Sequence, residues 1–182
     1  MIGATERAIL YRLFARLLTE EPGEPMLALL ATPGIVEALE QAEPGFGAWL
    51  AEADPTTLRI EFARLFLLPR GAAPYASAWI EGDRQRLAEQ LASFTHRAMS
   101  ALDMQQTGTQ GRLSLDHLGL LLAITAEALD APQNADLGAH IERQLLGPWV
   151  ARFAAALTRS AESPLYRATG RLIAATVPSE DP

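Results

Sequence analysis

The sequence predicts an all-α protein, a single helical-bundle domain over residues 1–182. Three observations carry this. Apolar residues recur at three- and four-residue spacing along most of the chain, and prolines and glycines interrupt that spacing at helix-length intervals. No stretch shows the sustained alternation of a strand, and β-branched residues are few. Apolar residues make up 49% of the chain, enough to fill a sizeable interior.

Each element has its own signal. Ile9, Leu10, Leu13, Phe14, Leu17 and Leu18 form one buried stripe, and Pro22-Gly23 ends that helix. Thr32-Pro33 and Asp54-Pro55 each read as an N-cap followed by proline at the first helical position. They open helices over 35–50 and 58–68, the second turning Leu58, Phe62, Leu65 and Phe66 inward. Pro69-Arg70-Gly71 and Pro74 break the pattern, so 69–80 is an ordered loop with aromatic content. Leu87, Leu91, Phe94, Ala98 and Leu102 mark a further helix, and the polar, glycine-bearing stretch 105–112 reads as a hinge. Ser114 is the expected N-cap of a helix carrying Leu118, Leu121, Leu122 and Thr125. Pro132 starts the next segment, and 137–157 is helical with a kink at Gly147-Pro148. Ser163-Pro164 caps a last helix ending near Thr176, and the tail from Val177 is expected to fray.

Composition narrows the function. No apolar run approaches the ~20 residues needed to span a bilayer, and residues 1–6 lack the basic-then-apolar pattern of a secretory signal. With no cysteine, disulfides, thiolate metal sites and cysteine nucleophiles are excluded, which fits a reducing, cytoplasmic setting. All fifteen basic side chains other than histidine are arginine. The net charge of −7 disfavours nucleic-acid backbones and favours a cationic partner.

Two separated motifs concentrate polar chemistry. Pro74-Tyr75-Ala76-Ser77-Ala78-Trp79 places two large aromatics beside a hydroxyl. Such rings combine an apolar body with a polar tip, which suits a peptide-binding groove; the same rings could simply staple the loop onto the helices. Leu115-Asp116-His117-Leu118-Gly119 puts an acid and an imidazole in the first turn of a helix. The helix dipole alone stabilises a carboxylate there by roughly 0.3–1 kcal/mol. In a groove, Asp116 could instead grip a guanidinium, and His117 could hydrogen-bond a backbone and make binding pH-sensitive. A third stretch, with Trp149, Phe153 and Leu157 stepping by four and then Tyr166-Arg167, reads as core.

Taken together these motifs resemble the TorD/DmsD/NarJ family of cytoplasmic chaperones that mature molybdenum-containing redox enzymes. The matching residues are Phe62, Leu65, Phe66, Pro69, Pro74, Tyr75, Ser77 and Trp79, then Asp116, His117 and Leu118. Pro148, Trp149 and Phe153 follow, then Pro164, Leu165, Tyr166 and Arg167. Order and spacing agree from about Arg7 to Ile173; the chain is short for the family, and Leu165 stands where an aromatic is usual. The resemblance implies an all-helical, TorD-like fold. It also implies binding of the N-terminal leader of a molybdopterin-enzyme precursor, often a twin-arginine signal, before export and during cofactor insertion. Members serving non-exported nitrate reductase subunits remain an alternative. It carries leader binding to Tyr75, Ser77, Trp79, Asp116 and His117. Physically, Asp116 with Glu81 or Asp83 would pair with the arginines, while Tyr75, Trp79 and Leu118 bury the apolar part. The expected partner is that precursor, with no stable membrane association, and the expected state is a monomer or a domain-swapped dimer.

Rival readings are weaker. Ser77, His117 and Asp116 name the parts of a hydrolytic triad, but no G-x-S-x-G elbow is present. His96, His117 and His140 match no metal-ligand spacing, and no phosphate-binding glycine motif occurs. The expectation is therefore no catalytic residue, no metal and no bound cofactor.

Overall fold

Proline and glycine set the helix boundaries in the computed structural model, which describes residues 3–68, 71–80, 84–105 and 113–178. The protein is all-α. In chain order the helices are α1 (Ala4–Thr19), α2 (Glu24–Leu30), α3 (Pro33–Ala42), α4 (Phe46–Ala51) and α5 (Pro55–Phe62), then α6 (Arg84–Ala101), α7 (Leu118–Asp130), α8 (Ala135–Ile141), α9 (Val150–Ser160) and α10 (Pro164–Thr176). Among the described residues, no helix is long and apolar enough to cross a membrane. The expected hinge at 105–112 lies outside them apart from Gln105.

Most starts fall where the sequence places them. Asp54 caps α5, its carboxylate accepting from the Thr56 and Thr57 amides at 3.1 and 2.9 Å. Thr32 and Pro33 open α3, although the threonine hydroxyl makes no capping bond. The helix expected over 35–50 is two helices. Pro44 follows the end of α3, and Gly45 takes a left-handed φ of 89° that a side chain would resist, so the chain turns before α4. The apolar stripe of α1 is shifted as well: Ile9 is 56% exposed, and Tyr11 is fully buried in its place.

Two π-helical turns, Ala63–Leu67 and Glu142–Leu146, continue α5 and α8. Each closes on a residue that precedes a proline in sequence: the Leu68 amide donates to Ala63 O at 3.1 Å, and the Gly147 amide to Glu142 O at 2.8 Å. Leu68 then becomes extended, the conformation favoured before proline, whereas Gly147 stays in the helical region. Leu58, Phe62, Leu65 and Phe66 are all buried, as their spacing requires.

Contacts gather the chain into two compact units. One comprises Met1–Glu20, Pro74–Ala151 and Thr176–Pro182; the other comprises Glu21–Ala73 and Arg152–Ala175. The first is built around α7, which runs along α1 and is buried on nearly every side, from Leu118 to Leu122 and again at Ile124, Thr125, Ala126, Ala128 and Leu129. Gly119 makes the approach possible, because a Cβ there would overlap Thr19 Cγ2 and press on Ala15 O. In the same unit the buried Glu142 carboxylate accepts from the Tyr11 hydroxyl at 2.8 Å and pairs with Arg7 Nε at 3.0 Å, so its charge does not stand alone.

In the second unit, Phe62, Phe66 and Tyr166 form a chain of edge-to-face rings 5.2 and 5.3 Å apart. Glu43 clamps α10 through Arg167 at 2.9 Å and Arg171 at 2.6 Å. The third apolar stretch is core: Trp149, Phe153, Leu157, Leu165 and Tyr166 are fully buried.

Gly119→Ala should destabilise the protein by about 1–3 kcal/mol through overpacking of α7 against α1. Urea denaturation checks this; a loss below about 0.5 kcal/mol would mean that the two helices have room to part.

Candidate functional site

The two sequence motifs, some forty residues apart, meet in one place. The extended segment at Tyr75 pairs antiparallel with His117. The Leu118 amide donates to Pro74 O at 2.7 Å, and the Ala76 amide donates to Asp116 O at 3.1 Å. Beyond Tyr75 the chain coils into a short 3₁₀ turn, Ala76–Ala78. Asp116 caps it: carboxylate Oδ2 accepts from the Ser77 amide at 3.2 Å, satisfying a donor that the turn leaves open.

The other side of the pair is organised with the same economy. Ser114 is not the N-cap of α7. Its hydroxyl donates a short hydrogen bond to Asp116 Oδ1, and α7 begins three residues later than that cap would place it. His117 is the N-cap instead, its Nδ1 accepting from the Gly119 amide at 3.0 Å. Asp116 and His117 therefore precede the helix rather than sitting in its first turn. Sequence favours serine as a cap, but 114–117 forms a turn closed by the His117 amide on Ser114 O, and the bridge to Tyr75 holds His117 extended, so the helix starts after the histidine.

Burial divides the predicted site residues. Asp116 is 4% exposed, His117 3%, and Leu118 is fully buried. Tyr75, Ser77 and Trp79 are half-buried, so they are the members that reach solvent. Tyr75 stands edge-on to the His117 imidazole, ring centres 5.1 Å apart at 86°. Glu81 and Asp83 lie outside the described residues. Sequence reasoning gave Ser114 only as a helix cap and did not single out the backbone of Pro74 and Ala76; the sign of them was the turn-forming character of serine and proline.

The electrostatics follow from this burial. Desolvation outweighs the nearby Asp116 carboxylate and pulls the His117 pKa down to about 4, so the imidazole is neutral at pH 7. With Nδ1 accepting, the remaining proton sits on Nε2. A hydrolytic triad needs its carboxylate on the proton-bearing Nδ1 of the histidine; here Nδ1 faces a backbone amide and Asp116 faces Ser77 N and Ser114 Oγ. Among the described residues, no three His, Cys, Asp or Glu side chains gather as a metal site. His140 packs against Phe94, ring centres 5.6 Å apart. What the arrangement does chemically is hold the Tyr75–Ser77 turn against a buried carboxylate and a neutral imidazole.

The model of the family described as nitrate reductase delta subunit matches residues 32–155, about two thirds of the chain. No curated protein matches the chain significantly.

Because His117 is neutral when folded and protonates readily when unfolded, the folded state binds fewer protons at mildly acidic pH. Its contribution is complete above pH ~6.5, where the unfolded histidine is also neutral, and is lost as pH falls toward 4. Between pH 7 and 4.5 this amounts to about 2 kcal/mol. Unfolding free energies of the protein and of His117→Asn across that window should therefore differ in slope; parallel curves would show that the imidazole is not the titrating group.

Proposed function

The chain belongs to the nitrate reductase delta subunit family, a family of molybdoenzyme assembly chaperones rather than enzymes, and we propose that it binds the N-terminal leader of a nitrate reductase-type molybdoenzyme precursor in the cytoplasm. The family works with nitrate reductase-type molybdoenzyme subunits, in line with the TorD/DmsD/NarJ resemblance. The observation that supports the finer reading is the joining of the two motifs: His117 pairs with and packs against Tyr75, and Asp116 caps the turn at Ser77, two residues before Trp79.

In this reading the two groups of residues have different tasks. Tyr75, Ser77 and Trp79 contact the leader, the rings covering its apolar part. Asp116, His117 and Leu118 position them. Asp116 already accepts from Ser77 and Ser114 and is buried, so a leader arginine meets the general acidic field of the protein rather than this carboxylate. Holding the leader keeps the precursor back from export, including by the twin-arginine route, while its molybdopterin cofactor is inserted; the chaperone itself needs no cofactor. Attachment of this kind is reversible, since the finished enzyme has to leave.

Co-expression with a tagged precursor tests the reading. The chain should co-purify with the full precursor and not with its leader-deleted form. Tyr75→Ala should reduce capture about fivefold while the helical circular dichroism spectrum stays native, and added salt should weaken capture further. Equal capture of the leader-deleted form would refute leader binding.

A further inference from the structure

The C-terminal end of α6 is closed by a turn that two backbone hydrogen bonds define. The Met104 amide donates to Met99 O at 2.9 Å, and the Asp103 amide donates to Ser100 O at 3.3 Å. Asp103 takes a left-handed φ of 53°, a conformation that aspartate tolerates better than most side chains. This nested pair of bonds around a left-handed residue is a common way to end a helix, and the side chains of its first and last residues commonly meet. Those two residues are Met99 and Met104.

A cavity of about 490 Å³ opens at this turn, within the unit that holds α6 and α7. Both methionines line it, together with His96, Asp103 and Leu115. His96 is exposed and precedes Met99 by three residues, so the two are neighbours on one side of α6. Met99 is buried and Met104 half-buried. Leu115 is tied to α6 by the buried Thr95, whose hydroxyl donates to the leucine carbonyl at 3.0 Å. The chain has four methionines, and two of them stand in this one turn. An aliphatic pair would close the helix end equally well. Two thioethers beside an imidazole supply a donor set that packing does not require.

We propose that His96, Met99 and Met104 form a binding site for one soft monovalent metal ion, Cu(I). Thioethers are poor ligands for hard cations and select soft ones. Magnesium and calcium need several oxygen ligands, and Asp103 is the one carboxylate among the described residues of this wall. A closed zinc site takes four ligands from thiolates, imidazoles and carboxylates, of which the wall offers one imidazole and one carboxylate. With three neutral donors the ion keeps its single positive charge, and the exposed Asp103 carboxylate at the rim offsets it. Histidine spacing gives no sign of such a site, because two of its donors are thioethers. The proposal stands without the leader-binding reading of the Tyr75 loop.

Anaerobic titration of the full chain with Cu(I), in competition with bicinchoninate, tests this. The parent should withdraw one equivalent from the indicator, and X-ray absorption of the complex should show both sulfur and nitrogen neighbours. Met99→Leu and Met104→Leu conserve volume, so the helical circular dichroism spectrum should stay native. Each should weaken Cu(I) binding about tenfold, as should His96→Ala. Met26→Leu alters a buried methionine outside the cavity and should bind like the parent. The proposal is overturned if the parent takes up no Cu(I), if the two cavity Met→Leu variants bind like the parent, or if Met26→Leu weakens binding as much as they do. Zn(II) competing on equal terms would also overturn it, assigning the metal to imidazole and carboxylate alone.

Discussion

The short antiparallel pairing between the chain around Tyr75 and the chain around His117 is the constraint on which the candidate site rests. A helical protein has little reason to place two loops edge to edge, because loops in a bundle usually satisfy their backbone groups with solvent. Here both loops are drawn inward, and buried amides must find acceptors. They find them in each other and in the Asp116 carboxylate. The consequence is that a surface loop is tied to the start of α7 by two backbone hydrogen bonds and one side-chain cap.

That arrangement explains residue choice at each position. A carboxylate is needed at 116 because it accepts from a backbone amide and a serine hydroxyl together, whereas a neutral amide side chain offers only one acceptor oxygen. An imidazole is suited to 117 because, kept neutral, it caps α7 with one nitrogen while its ring packs edge-on against Tyr75. Leu118 must be apolar because α7 enters the interior at once. The polarity of the Asp-His pair thus serves architecture first, and recognition falls to the half-buried side chains that it supports.

Electrostatics operate on two scales in this protein. Inside, charges are few and partnered: Glu142 with Arg7 and Tyr11, and Glu61 with two amides. Outside, 22 acidic residues outnumber 15 arginines, and the excess creates a field that draws cationic partners without specifying where they dock. Local shape has to do that.

Sequence alone determined the helical class, most helix starts and the membership of the core, because apolar spacing and proline-linked caps are local signals that read directly as geometry. It also brought forward Tyr75, Ser77, Trp79, Asp116 and His117 as a set. It misjudged what depends on neighbours. The break at Gly45 turns on a left-handed residue that the surrounding apolar spacing masks, and the exposure of Ile9 turns on which side of α1 meets α7. The cap of α7 passed from Ser114 to His117 because a pairing with residues forty positions away holds His117 itself extended. Tertiary structure alone decided which members of the site reach solvent and which lie beneath them, since burial is a property of the packed chain and spacing carries no record of it.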